Sequence, residues 1–140
     1  MSRTRYMHFH DLCDDNVAAT SMDLLQCFFG LKQLELEVYS RLLIKGECRA
    51  EELSVMIGRD SSGISRALNH LDAVGLLLTT KRGRDGGGYF KCYEPLPPDS
   101  VAELMRVRLD CFRGRLERSL DGWEPRLEEA ALHRAAIKVA

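Results

Sequence analysis

The chain has 140 residues, of which 45% are hydrophobic, enough for one ordinary globular domain with an appended helix. Its formal net charge of −1 excludes a molecule that engages polyanions through an overall positive field. No apolar run approaches the roughly 20 residues needed to span a bilayer, and the N-terminus carries no signal-peptide core, so a cytoplasmic protein without membrane partners is expected.

Residues 1–20 are polar and irregular, and read as a flexible arm or a short helix; the arm is bounded at residue 21. The apolar stretch MDLLQCFF (Met22 to Phe29) ends at Gly30. Lys32 to Lys45 then places Leu34, Val38 and Leu42 on one stripe and Leu36, Tyr39 and Leu43 on a neighbouring one. Two adjoining stripes at helical spacing predict a helix contacted on more than one side, closed by Gly46. Arg49 to Gly58 predicts a short helix burying Ala50, Leu53 and Ile57. After the break at Gly58-Arg59-Asp60, either Asp60 or Ser61 caps a third helix over about 61–74, with Ile64, Leu68 and Leu71 pointing inward and Gly75 as its stop.

The period then changes. Leu76 to Arg82 reads as a strand, Gly83 to Gly88 as a loop with four glycines, and Tyr89 to Glu94 as a returning strand. Pro95 to Pro98 breaks the pattern before a helix from about Asp99 to Leu120. Asp121-Gly122 interrupts it, and an amphipathic stretch follows from Glu124. The expected fold is therefore mostly α with a small β-hairpin: a winged helix-turn-helix over 22–96 and C-terminal dimerisation helices over 97–140.

Charge is uneven along this layout. Residues 59–91 hold six Lys/Arg against three Asp/Glu, whereas residues 1–58 and 92–140 are net acidic. In a winged helix the third helix keeps one face in the core and offers the other to a DNA major groove about 12 Å wide. Its outward residues here are Ser62, Ser65, Arg66, Asn69, His70 and Ala73, with no acid before Asp72. Arg66 suits a guanine edge or a phosphate, Asn69 an adenine edge, and Ser61 and Ser62 a phosphate oxygen at the helix start. Arg59 flanks the same turn. The plainer reading makes the two serines caps and Arg66 an ordinary surface residue. On the hairpin, Lys81, Arg82, Arg84 and Lys91 crowd a glycine-rich tip opposed by Asp85, which suits a minor groove or the DNA backbone over 81–91. The same residues would also guard an edge strand against aggregation.

The run GLKQLELEVYSRLLIKGECRAEELSVMIGRDSSGISRALNHLDAVGLL, with its GGGY wing, proline and long helix, resembles the winged-helix domain of archaeal TrmB-like regulators over about residues 30–120. It is more loosely similar to the MarR group. The resemblance implies sequence-specific binding of double-stranded DNA, dimerisation and control of transcription, with Ser62, Ser65, Arg66 and Asn69 in the DNA-reading part of the helix. A large C-terminal effector domain, found in full-length TrmB-like proteins, is not expected, so sugar sensing is not carried over.

Dimerisation has its own signal. Val101, Met105, Leu109, Phe112, Leu116 and Leu120 recur at spacings of three to four residues, and such a stripe needs either a twin helix or the chain's own domain to cover it. Leu24, Leu25 and Phe28 would join the same seam, and Trp123 its end. Pairing puts two recognition helices about 34 Å apart, one turn of duplex.

Other chemistry is less well provided for. His8, His10 and Cys13 form HxHxxC, ligand types that suit zinc but lack a fourth member. Five scattered cysteines (Cys13, Cys27, Cys48, Cys92, Cys111) carry no CxxC pair; reduced thiols are expected, with Cys92, beside Lys91, the best placed for redox sensing. No Walker loop, HExxH or GxSxG is present, so neither catalysis nor a cofactor is expected. The expected partners are duplex DNA, a second copy of the chain and an effector of unknown chemistry. The rival reading is a winged-helix adaptor that binds another protein instead of DNA.

Overall fold

The computed structural model describes residues 7–139, and the side chains of residues 7–136. The chain divides into two compact units, one running to Pro98 and the other from Asp99 onward. In order, the first holds α1 (Phe9–Leu12), α2 (Ser21–Phe29), α3 (Gln33–Lys45), α4 (Ala50–Ile57), α5 (Ser61–Ala73), β1 (Leu77–Gly83) and β2 (Tyr89–Pro95). The mostly helical fold with a two-stranded antiparallel hairpin is the winged helix expected from the sequence.

Local chemistry explains the helix ends. Thr20 caps α2: its hydroxyl accepts from the Asp23 amide at 3.2 Å while Asp23 accepts from the Thr20 amide at 2.8 Å. This reciprocal box satisfies two amides that the helix itself leaves unpaired. Glu35 and Glu52 reach back in the same way to the Lys32 and Arg49 amides, opening α3 and α4. Gly58 closes α4 in the left-handed region (φ 74°), where a side chain would be strained, and thereby sets the tight turn into α5.

The core follows the stripes read from the sequence. Leu31, Val38, Leu42, Leu53, Ile64, Leu68, Leu71 and Leu76 are wholly shielded from solvent, and Tyr39 nearly so. Leu43 is exposed, and Leu34, Ala50 and Ile57, expected inside, are only half-buried. α5 packs on both α3 and α4, so its inner face is committed along its whole length.

The hairpin is anchored by a contact absent from the sequence reading. Cys48, in the link between α3 and α4, forms an antiparallel bridge to Tyr93 of β2, with N···O distances of 2.9 and 2.8 Å. One residue thus acts as a rudimentary third strand. Within the stretch expected as a flexible arm or a short helix, α1 is a short helix, and Met7 is buried: its carbonyl accepts from the Cys27 thiol at 3.0 Å and from the Gln26 side-chain amide at 3.5 Å. The first six residues of that arm lie outside the described residues.

The second unit is built from α6 (Pro98–Leu120) and α7 (Trp123–Val139), separated at Asp121-Gly122. Gly122 sits at φ 70°, a conformation that breaks the helix without steric cost. At 1.5 Å per residue, α6 is about 35 Å long.

Candidate nucleic-acid interface

α5 turns Ser61, Ser62, Ser65, Arg66 and Asn69 to solvent while Ile64, Ala67, Leu68 and Leu71 face the core. The helix begins at Asp60, whose carboxylate takes up the Ser62 hydroxyl. That hydrogen bond, with help from the Arg66 charge, holds the Asp60 carboxyl below its ordinary range. Ser62 is therefore corrected from a free phosphate ligand to a hydroxyl already engaged one turn from Arg66. Asp60 also stands close over Gly63: a Cβ there would lie 2.9 Å from its Oδ1.

His70 is likewise committed. Its Nδ1 lies 2.6 and 2.7 Å from the two oxygens of Glu35, a carboxylate buried at the start of α3. A buried carboxylate requires such partners, because taking an unpaired charge out of water costs several kcal/mol. His70 thus joins α5 to α3, and only its outer edge is left for a ligand. A groove of about 480 Å³ runs beside this joint, and Lys32, Arg59, Arg66 and His70 contribute to its walls. Three of the expected contact residues therefore share one surface depression.

The hairpin register puts Lys81 directly opposite Lys91 and Arg82 opposite Phe90. Both lysines are exposed. Like charges facing each other across two strands are destabilising on their own, a cost that a bound anion removes. Arg82 departs from expectation: Glu47, in the α3–α4 link, binds it at 2.7 and 2.9 Å. Asp85 is therefore not the sole acid opposing the hairpin cations, and Arg82 contributes little unbalanced charge. Arg84 closes the loop through its amide to the Gly88 carbonyl at 2.9 Å, and its guanidinium stands 5.6 Å from the Phe90 ring centre. Arg49 approaches the same ring at 5.1 Å. No local pattern signals Arg49, because the contact spans 41 positions.

Cys92 is corrected as a redox candidate. It is buried, and burial raises its thiol pKa, assisted by a hydrogen bond and the negative charge of Glu47. Cys48 is buried too and its pKa is raised by the same desolvation. A thiolate is the reactive form, so both are disfavoured as nucleophiles. In the folded protein, iodoacetamide is expected to label the exposed Cys13 and Cys111 first, with Cys48 and Cys92 labelled only on unfolding; peptide mass mapping reads the order. The HxHxxC segment shows His8 and His10 stacked at 5.7 Å. Among the described residues no three His, Cys, Asp or Glu side chains gather as a metal site.

Along α6, Leu109, Phe112, Leu116 and Leu120 are exposed, followed on α7 by Trp123, Leu127 and Leu132. Met105 is half-buried. Val101 is corrected: it is already buried within the chain and has no surface to offer a second copy.

The family model described as the sugar-specific transcriptional regulator TrmB matches residues 25–99, more than half of the sequence. The chain belongs to the TrmB family. Two curated relatives are both uncharacterised proteins of Methanocaldococcus jannaschii. MJ1503 is 28% identical over 62% of this chain and 66% of its own length; MJ1082 is 31% identical over 65% and 75%. The chain therefore spans just under two thirds of the first and three quarters of the second.

Solved structures agree on the fold of this TrmB-family chain. A possible transcriptional regulator from Methanosarcina mazei superposes with a TM-score of 0.64 at 22% identity, covering 79% of this chain and 95% of the other. The archaeal chromatin protein TrmBL2 superposes with a TM-score of 0.56 at 22% identity, over 83% of this chain and 41% of that one. The family is one of transcriptional regulators, not of enzymes. Among the described residues no helix is long and apolar enough to cross a membrane.

Proposed function

We propose that this protein is a homodimeric transcriptional regulator that reads double-stranded DNA with the outer face of α5 and steadies it with the hairpin. The observation that carries this reading is the exposed, acid-free run Ser61–Ser65–Arg66–Asn69 on a helix whose other face is locked into the core. A helix so held can enter a major groove without rearranging, and its side chains match base edges and phosphates. TrmBL2, which shares the fold, is described as binding DNA, in keeping with this assignment.

The roles divide by chemistry. Arg66 and Asn69 read bases, while Ser61, Ser65 and Arg59 meet the backbone near the helix start. Lys81 and Lys91, facing each other on the hairpin, take phosphates. The exposed apolar line of Leu109, Phe112, Leu116 and Leu120 seats a second copy, giving two α5 helices for successive major-groove turns.

Selection of bound duplexes from a random pool, followed by titration of the winning site, tests this. Arg66→Ala is expected to cost about 1–3 kcal/mol on that site and to relax the preference at one base position. Lys81→Ala should instead weaken selected and unselected duplexes alike. Undiminished binding by Arg66→Glu would favour the protein-adaptor reading.

A further inference from the structure

The geometry points to a two-arginine phosphate clamp at the hairpin, built on Phe90 and comprising Arg49 from the start of α4 and Arg84 from the loop. This rests on the DNA-binding reading above and extends it to a site outside the recognition helix.

Arg49 and Arg84 are far apart in sequence, yet both guanidiniums stand against a single half-buried phenyl ring, at 5.1 and 5.6 Å from its centre. An aromatic face attracts a cation through its quadrupole, and a planar guanidinium stacked there keeps its N–H edge free to donate. Two like charges held on one ring repel each other unless an anion lies between or beside them.

The neighbouring charges do not supply that anion. Glu47 is engaged by Arg82 at 2.7 Å. Glu52 is gripped by the Lys45 ammonium at 2.7 Å, so the 3.5 Å approach of Arg49 Nε shares a carboxylate already neutralised. Among the described residues no carboxylate lies within ion-pairing distance of Arg84. Lys45, Arg49, Arg82 and Arg84 thus stand against Glu47, Glu52 and the exposed loop acid Asp85, which leaves a net positive charge around the ring.

The register sharpens the point. Phe90 lies opposite Arg82, one position out of phase with the Lys81–Lys91 pair, so the clamp and the lysines occupy different faces of the hairpin. A phosphodiester is the ligand that matches: guanidinium pairs bind its oxygens through parallel N–H···O bonds. Phe90 acts here as a positioning residue for the two arginines.

The test is fluorescence anisotropy of the full chain with a random-sequence 30-base-pair duplex, repeated over a range of salt. Phe90→Leu keeps an apolar strand residue but removes the aromatic face. It is expected to weaken binding about two- to fivefold, and Phe90→Tyr to restore it. Arg49→Ala, a substitution outside the hairpin sequence, should flatten the slope of log K against log salt by about 0.9. Arg84→Ala should cost less in the Phe90→Leu background than in the parent. Unchanged affinity and slope in both Phe90→Leu and Arg49→Ala, with Lys81→Ala still impaired, would overturn the clamp alone. Failure of the parent protein to retain any duplex would overturn both the clamp and the DNA-binding reading.

Discussion

Leu68→Ala is expected to destabilise the first unit by about 2–5 kcal/mol, the range for removing a fully buried leucine and leaving a cavity. Leu68 is wholly shielded, and its helix packs against both α3 and α4, so the surroundings cannot collapse without moving one of them. For a domain whose total stability is about 5–15 kcal/mol, such a loss takes a large share. Urea unfolding followed by circular dichroism measures it. The neighbouring Asn69→Ala makes the comparison informative: it lies on the exposed face and should leave unfolding within about 0.5 kcal/mol of the parent. If the two substitutions destabilised equally, the division of α5 into a core face and a free face would be wrong.

In the dimer proposed above, the double substitution Phe112→Glu with Leu116→Glu is expected to leave monomers and to lower affinity for a two-half-site duplex by about 10²–10⁴-fold. That range is the benefit of joining two binding events into one molecule, lost when the joint opens. Both side chains are exposed on α6, in line with Leu109 and Leu120, so the charges need not disturb the first unit. Sedimentation velocity gives the mass, and binding to a single half-site should fall far less. A variant that stays dimeric would move the interface off α6.

Much of the fold was legible because its determinants are local. Gly30, Gly46, Gly58 and Gly75 punctuate the helices at positive φ, and the apolar spacing within α5 marks the face that is buried, while in α4 it locates Leu53 at the core. The exposed set on α5 followed from the same spacing. What the sequence hid were contacts whose partners are distant along the chain. Glu47 neutralises Arg82, and Glu35 engages His70, each pair separated by 35 positions. A tally of charge along the hairpin cannot register a carboxylate arriving from another segment. Cys92 shows a different limit: alternation along a strand does not say which phase faces the core, and here both Cys92 and Tyr93 are buried. The Ser62–Asp60 contact is local, but the capping preferences of serine and aspartate overlap too closely to separate their roles beforehand.

The bridge between Cys48 and Tyr93 has a bearing on how quickly and how tightly a duplex can be held. It ties the returning limb of the hairpin to the segment that introduces α4 through two backbone hydrogen bonds, so the base of the hairpin is fastened to the helical body. In the duplex complex proposed above, docking would freeze little internal motion at the base of the hairpin, a saving in entropy that favours a longer residence time.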